Sequence, residues 1–184
     1  IGGTRLGRAE NRARKQLTTG LADPVSLVAL DSRFPNKRAI ITGGASGLGL
    51  ATAQLLAARG WSLGLLDRDA TRLAEAAEQL RAKGCPACEA YVVDTTDEQA
   101  VRTAIDAFAA KFDGLDFAMN SAGVAVAGDL LETSTADWKW ILEINVMGVV
   151  YSCRAELPHM MASGGGLVIN VASAASFACS SRMS

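Results

Sequence analysis

The chain has 184 residues, of which 49% are hydrophobic and 20% are charged, and its formal net charge is −1. This length fits one soluble domain with a substantial core. The near-zero charge gives no electrostatic reason to expect nucleic acid or an anionic membrane as a partner. Apolar runs stay well short of the roughly 20 residues that span a bilayer. The four cysteines are irregularly spaced, which favours a reducing compartment, so we expect a cytoplasmic protein.

The first 36 residues differ in charge from the rest of the chain. They carry six basic residues against three acidic ones, which gives +3 and leaves −4 for the remainder. A basic start is compatible with a targeting segment or a nucleic-acid arm. We instead interpret residues 1–36 as an extension, helical over 8–17, with a linker around Asp23. The sequence begins with Ile1 rather than methionine, so it supports no targeting assignment.

From residue 37 onward, short apolar runs alternate with helix-forming runs. The predicted strands are 38–42, 61–67, 87–93, 115–120 and 167–171. The predicted helices are 47–59, 70–83, 97–112 and 135–162. Apolar strands separated by helices of about a dozen residues indicate a parallel sheet with right-handed crossovers. The predicted fold class is therefore α/β, a doubly wound, Rossmann-like parallel sheet with helices on both faces.

Several residue types mark the predicted helix ends. Gly60 and Gly84 are placed to stop the first and second helices. Thr96 is predicted to cap the third helix, and Ser134 with Asp137 forms a capping box for the fourth. The fourth helix carries two apolar stripes, which is more than one sheet face needs. We therefore expect a homo-oligomer that pairs through residues 135–162.

A glycine-rich turn follows the first predicted strand and spans residues 42–49, Thr-Gly-Gly-Ala-Ser-Gly-Leu-Gly. A strand, a tight turn and a helix start together present free N–H groups to an anion. The phosphate-loop NTPase motif does not fit, because Leu50 and Ala51 stand where it needs Lys and Ser/Thr. The esterase nucleophile elbow does not fit either, because Leu48 replaces its second glycine. The turn predicts a binding site for dinucleotide phosphates.

An acidic residue, Asp67, ends the second predicted strand, 24 residues after Gly43. In dinucleotide folds a carboxylate at this place accepts hydrogen bonds from the ribose 2′-hydroxyl. At about 4 Å it would repel a 2′-phosphate by about 1 kcal/mol in water and about 4 kcal/mol at an effective dielectric of 20. Arg68 is placed to reduce that repulsion. We predict NAD as the cofactor, preferred over NADP.

The sequence pattern Thr-Gly-x-x-x-Gly-x-Gly resembles the cofactor loop of the short-chain dehydrogenase/reductase family. Four further motifs occur in the family's order: Asp94 after the third strand, Asn120-Ser-Ala-Gly123 after the fourth, Asn145 in the long helix, and Ile169-Asn-Val-Ala-Ser173 after the fifth. Ser46 stands where NADP-preferring members often have a basic residue. The resemblance covers residues 37–173 and does not include the N-terminal extension, residues 1–36.

The resemblance implies roles for these residues. Asp94 would contact the adenine amino group, Asn145 would hold a water in a proton relay, and Ser173 would be catalytic with Asn145. The cofactor-binding residues that it implies, together with those read from the glycine turn, are Thr42, Gly43, Ser46, Gly47, Leu48, Gly49, Asp67, Arg68, Asp94, Asn120, Ala122 and Gly123. The implied reaction moves a hydride between a nicotinamide and a small secondary alcohol or ketone.

One feature of the family is missing from the sequence. The family's chemistry rests on a Tyr and a Lys four residues apart, but Tyr91 is followed by Thr95 and Tyr151 by Ala155. Eleven residues follow Ser173, and none is Tyr or Lys. We therefore interpret residues 37–184 as an NAD(P)-binding domain truncated after the fifth strand, which binds its cofactor without turnover.

Two other classes of function stay open. The first is a non-catalytic dinucleotide-binding protein, a sensor or scaffold. The second is a methyltransferase, which also uses a glycine loop and an acid after the second strand but leaves Asn120-Ser-Ala-Gly123 and Ser173 unexplained. Cys85 and Cys88 have the spacing of a redox or zinc pair, but no second pair completes a zinc site, so we expect no metal.

Overall fold

The computed structural model describes residues 27–129 and 131–173. Helix α1 (Leu27–Arg33) belongs to a unit that ends at Pro35, and all described residues from Asn36 onward form a second unit. In the first unit the helix is extended by one hydrogen bond, from the Phe34 N–H to the Leu30 carbonyl at 3.0 Å. The predicted helix over 8–17 and the linker around Asp23 lie outside the described residues.

The second unit is built on a five-stranded sheet in which every pair of neighbouring strands is parallel. The strands are β1 (Arg38–Thr42), β2 (Ser62–Asp67), β3 (Cys88–Val92), β4 (Phe117–Asn120) and β5 (Leu167–Asn170). Their order across the sheet is β3-β2-β1-β4-β5. The strand order therefore reverses between β1 and β4, as in a doubly wound fold.

Helices connect consecutive strands. They are α2 (Gly47–Ala57), α3 (Ala70–Ala82), α4 (Glu98–Phe112), α5 (Thr135–Leu142) and α6 (Gly148–Ala162). Helix α2 packs beside α3, and α4 packs beside α6. Right-handed crossovers place these two pairs on opposite faces of the sheet, because the strand order reverses between them. The predicted α/β class is confirmed.

The central strands have apolar side chains on both faces because helices cover both. Every residue of β1 is buried, and so are the four middle residues of β2. A core cluster fills the space between the sheet and helices α4 and α6, and includes Ile40, Leu66, Ile105, Phe108 and Leu115. Phe108 packs across Gly64 of β2, where an added Cβ would stand 2.7 Å from its ring. This contact holds α4 close to β2.

The helix starts follow side-chain chemistry, with one correction to the sequence prediction. Asp97, not Thr96, caps α4, since its carboxylate accepts hydrogen bonds from Gln99 N and Ala100 N, both at 3.0 Å. Thr96 instead donates from its backbone N–H and its hydroxyl to the Asp94 carboxylate. A carboxylate one position later fits the first-turn donors, which leaves Thr96 to close a turn around Asp94.

The other predicted helix signals are present. The capping box of Ser134 and Asp137 begins α5. Gly60 and Gly84 have φ values of 78° and 89°, so both adopt the left-handed conformation that follows a helix end. Among the helices of the described ranges, none has the length and apolar content needed to cross a membrane.

Candidate cofactor site

A cavity of about 460 Å³ opens at the carboxyl ends of the strands. It lies where the strand order reverses, between the loops that follow β1 and β4, which is the place where doubly wound sheets bind ligands. Ten of the predicted site residues line it: Gly43, Ser46, Gly47, Leu48, Gly49, Asp67, Arg68, Asp94, Ala122 and Gly123. The tertiary structure thus brings together residues from the loops after four strands.

Glycines let the two central loops touch. Gly43 has a φ of 67°, and a Cβ on it would stand 2.8 Å from the backbone nitrogen of Ala122. A Cβ on Gly49 would stand 2.2 Å from the Gly43 carbonyl oxygen and 2.7 Å from the Ser121 hydroxyl. The glycines therefore serve close backbone packing as well as ligand approach.

The start of α2 faces the cavity. Gly47 has a φ of 53°, and no described atom lies within 4 Å of where its Cβ would stand. Within the described part of the chain, the Ser46 side chain does not cap the helix. The N–H groups of the first turn have no partners inside the helix, and the helix dipole favours an anion there. These residues fit the phosphates of a dinucleotide.

Thr42 holds the loop after β4 in place from below. Its carbonyl oxygen accepts a hydrogen bond from the Ser121 hydroxyl at 2.7 Å, and its hydroxyl accepts one from Ala122 N at 3.3 Å. Thr42 is 1% exposed and is not among the described residues that line the cavity. Thr42 positions the loop from beneath the cavity.

Asn120 also lies beneath the cavity. It is 1% exposed, and its side-chain amide donates to the Asn170 oxygen at 2.9 Å and to a Glu156 carboxyl oxygen at 3.2 Å. It therefore joins the ends of β4 and β5 to helix α6. Of the described residues, those that contact the cavity from this motif are its neighbours Ser121, Ala122 and Gly123.

The acidic wall of the cavity comes from β2 and β3. Asp67 accepts a hydrogen bond from Ala45 N through one carboxyl oxygen and from Asp69 N through the other, both at 3.1 Å. Each oxygen keeps lone-pair capacity for a further donor. Arg72 also lines this wall, 3.4 Å from the Asp69 carboxylate and largely exposed. The wall therefore combines carboxylates with two cations, Arg68 and Arg72.

Asn145 lies in a π-helical turn, which corrects the prediction of one continuous helix over 135–162. The turn spans Glu143–Met147 and separates α5 from α6. The Asn145 side chain accepts from Val124 N at 2.9 Å and donates to the Val124 carbonyl at 2.8 Å. Single π-turns occur frequently at functional sites. Here the turn ties the long helix to the loop after Gly123.

Some lining residues were not singled out from the sequence. They are Ala45, Asp69, Arg72, Val93, Thr95, Ser121, Val124 and Ile144. Most are immediate neighbours of predicted residues, so the motifs pointed to the right loops. Arg72 lies three residues after Asp69, which caps α3, so its position in the first turn of that helix places it near the same strand end. Ile144 adjoins Asn145 in the π-helical turn, and this turn brings it to the cavity.

The chain matches the short chain dehydrogenase family model over residues 37–184. It belongs to the short chain dehydrogenase family. One curated relative, D-threitol dehydrogenase of Mycolicibacterium smegmatis, is 38% identical over 151 residues, which are 80% of this chain and 56% of that protein. The chain spans somewhat more than half the length of the curated relatives it matches first.

Solved structures of short chain dehydrogenases share the fold. An NAD⁺-bound xylitol dehydrogenase superposes with a TM-score of 0.77 and 32% identity, over 80% of this chain and 57% of that one. L-sorbose reductase from Gluconobacter frateurii, complexed with NADPH and L-sorbose, superposes with a TM-score of 0.68 and 33% identity, over 72% and 50%. The predicted family assignment is confirmed, and this fold accommodates both nicotinamide cofactors.

The remaining residues singled out from the sequence, Ser173, Cys85 and Cys88, are not among the described residues that line the cavity. Ser173 follows β5 with an exposed side chain. Cys85 and Cys88 are both buried free thiols, and the Cys85 sulfur donates to the carbonyls of Trp61 and Ala87. Among the described residues, no cluster of three or more His, Cys, Asp or Glu side chains could hold a metal.

Proposed function

We propose that this short chain dehydrogenase binds NAD, in preference to NADP, in the cavity at the carboxyl ends of its strands. The position of Asp67 carries the proposal, because its carboxylate lines the cavity while also holding the glycine loop through Ala45 N. The 2′-phosphate of NADP would place a negative charge beside that carboxylate, which would repel it. The exposed cations Arg68 and Arg72 reduce the discrimination without removing it, since exposed side chains are well screened.

Each part of the cavity has a separate task in this proposal. The first turn of α2 and the loop from Gly43 to Gly49 receive the pyrophosphate. Asp67 accepts hydrogen bonds from the adenosine ribose, and the family resemblance assigns Asp94 to the adenine. The loop of Ala122 and Gly123 borders the nicotinamide end, and Asn145 fixes that loop through Val124. The bound nicotinamide supplies the hydride acceptor or donor.

The proposed reaction class is the interconversion of a secondary alcohol and a ketone. The names of the relatives support it, since D-threitol dehydrogenase, xylitol dehydrogenase and L-sorbose reductase all act on small polyhydroxylated compounds. By the family resemblance, Ser173 donates a hydrogen bond to the substrate oxygen. Asn145 holds a water of the proton relay in the same scheme.

The family's Tyr and Lys pair does not occur in these 184 residues. A phenol with a pKa near 10 needs a neighbouring cation to exchange protons at neutral pH, so the chain as given should bind NADH without turnover. A non-catalytic dinucleotide-binding protein is the competing proposal. The intact mass of the protein from its own source, compared with 19.1 kDa, separates the two. Only the enzyme proposal predicts a longer chain that contains the pair.

The long helical segment supports the proposed homo-oligomer. It exposes several large apolar side chains, with exposed fractions from 39% to 78%: Trp140, Leu142, Val146, Val150, Leu157 and Met161. A run of such residues along one element is unusual for a surface that faces only water. Light scattering tests this directly, since a mass equal to one chain at micromolar concentration would contradict it.

The deciding experiment for cofactor binding is a titration of the purified chain with NADH and with NADPH, followed by nicotinamide fluorescence. We expect NADH to bind at least roughly fivefold more tightly, because the carboxylate repulsion is about 1 kcal/mol or more. Tighter binding of NADPH would overturn the NAD preference. Binding of S-adenosylmethionine without either nicotinamide would overturn the dehydrogenase proposal in favour of a methyltransferase.

A further inference from the structure

Helix α6 carries one carboxyl group into the protein interior. The side chain of Glu156 is 0% exposed and lies against the end of β4. One of its oxygens accepts a hydrogen bond from the Asn120 amide at 3.2 Å. The other oxygen is buried and has no hydrogen-bond partner among the described residues. Burying an ionised carboxylate with a single neutral partner is unfavourable in free energy, so this site disfavours the charged form.

The surrounding cluster has more acceptors than donors. The two hydrogens of the Asn120 amide nitrogen are taken up by the oxygens of Glu156 and Asn170, and the Cys153 thiol lies 3.6 Å from both that nitrogen and the Asn170 oxygen, to which it can donate. The side-chain amide oxygen of Asn120 is buried and, within the described ranges, has no partner either. An added proton on Glu156 would convert one acceptor into a donor and correct this imbalance. The geometry therefore favours the neutral acid.

The cluster is connected to the cofactor cavity through Asn120. That residue is the last of β4, and the next two residues, Ser121 and Ala122, line the cavity. The Asn120 side chain also fixes Asn170, the last residue of β5, from which the chain continues to Ser173. A change at Glu156 thus acts on both loops at once without contacting any bound molecule.

We propose that Glu156 is a positioning residue whose neutral carboxyl group holds Asn120, and with it the loop after β4, in the arrangement that binds the dinucleotide. Ionisation places a charge in this interior, draws the Asn120 amide away from Asn170 and lowers cofactor affinity. The proposal rests on the proposed function and adds a dependence on pH to it. The same burial raises the pKa of Glu156 to about 7, although the Asn120 hydrogen bond opposes the shift.

Other ionisable side chains on α6 and on the neighbouring helix α4 surround Glu156 or lie near it. Cys153 faces Glu156 from the same helix, and burial together with the Glu156 charge raises the pKa of its thiol. From α4, Glu98 pairs with Arg154 at 3.0 Å and Asp106 with His159 at 2.6 Å. Strands β4 and β5 contribute only the uncharged Asn120 and Asn170 to the hydrogen-bonded cluster. His159 therefore serves as the comparison for Glu156 on the same helix.

The test is an NADH titration of the full chain and of E156Q between about pH 6 and about pH 8.5, which brackets the proposed ionisation. Gln is uncharged throughout and keeps a donor where the acid has its hydroxyl. We expect the wild-type affinity to fall roughly fivefold or more as the pH rises, the usual size of a coupling between sites. E156Q should keep its low-pH affinity throughout. The variant H159Q should show the same pH dependence of NADH affinity as the wild type.

A second readout does not depend on the variant folding. If the neutral acid binds NADH better, NADH binding must raise the pKa of Glu156, and the wild-type protein must take up protons near neutral pH. Proton uptake in weak buffer, with the acid carbonyl band in the infrared spectrum, measures this. The same pH dependence in wild type and E156Q, or binding without proton uptake, would overturn the inference. Absence of NADH binding at every pH would instead overturn the proposed function.

Discussion

The carboxylate of Asp67 lies 3.1 Å from the backbone nitrogen of Ala45 and accepts its hydrogen bond. The residue that ends β2 therefore fixes the glycine loop that ends β1. The same side chain lines the cavity and faces the region where the ribose of a dinucleotide would lie. In the proposed function, loop position and cofactor choice both depend on this one carboxyl group, and substitution tests whether the two effects separate.

Asp67→Asn should shift cofactor choice toward NADP. The amide oxygen can still accept from Ala45 N, but the charge that repels a 2′-phosphate is gone. We expect the ratio of NADPH to NADH affinity to rise by roughly five- to tenfold, because the cavity is open to water and the repulsion lies near its lower limit of about 1 kcal/mol. Paired fluorescence titrations measure the ratio.

Asp69→Asn is the matched control for that substitution. Asp69 lines the same wall and caps α3, and Asn is an equally good cap. The ratio should change much less in this variant, because Asp69 is already paired with Arg72. Equal shifts in the two variants would mean that the net charge of the wall sets the cofactor preference, and not the carboxylate of Asp67 in particular.

Gly49→Ala should damage the cofactor loop even though alanine favours helices. The new Cβ would stand 2.2 Å from the Gly43 carbonyl oxygen, so the backbone must move. Overpacking of this kind costs about 1–3 kcal/mol, against a gain in helix propensity of about 1 kcal/mol. We expect a net loss of stability in urea unfolding and a clear loss of NADH affinity.

Gly60→Ala gives the comparison for Gly49→Ala. Gly60 has a φ of 78° and open space where its Cβ would stand, so alanine there strains the backbone without touching the loop. It should lower stability by about 1–2 kcal/mol while NADH affinity stays at the wild-type value. Unchanged NADH binding in Gly49→Ala would count against the close contact between the two loops.

Asp116→Ala should strongly destabilise the fold. Asp116 and Arg38 form a buried ion pair with side chains 5% and 6% exposed, in which two guanidinium nitrogens donate at 2.8 and 2.9 Å. Removing the carboxylate leaves a buried cation, which costs about 3–5 kcal/mol. Glu89→Ala, which breaks the exposed pair with Lys111, should cost at most about 1 kcal/mol. Similar midpoints in urea for both variants would contradict the distinction.

The pH dependence of stability follows from Glu156. Its pKa is about 7 in the folded protein against an ordinary value of 4.5, so between these values the folded state binds more protons than the unfolded state. Stability from this group therefore falls as the pH rises through that window and is lowest above it. E156Q has no ionisable group at this position, so its stability does not fall in this way as the pH rises. It should be more stable than wild type by roughly 2–4 kcal/mol at about pH 8. Urea unfolding of both proteins at about pH 5 and about pH 8 measures the difference, and equal slopes with pH would contradict it.

The sequence alone determined the order of the elements and the loops that form the cavity. β1 was predicted residue for residue, because a run of apolar residues between a charged start and a glycine turn has few other structures. The glycine spacing and Asp67 indicated a dinucleotide site because these residue types act through local geometry, namely positive φ, close approach and a strand end. Each signal of this kind lies within a few residues of the turn or strand end that it shapes.

Only the tertiary structure decided which side chains face the cavity and which support it from beneath. Asn120 belongs to a cofactor motif, yet its side chain turns inward to Asn170 and Glu156, which are 50 and 36 residues away in sequence. The π-turn at Asn145 was equally hidden, since it depends on hydrogen bonds to Val124 from a separate loop. Hydrogen bonds between distant segments are set by how the helices pack on the sheet, and no local pattern records them.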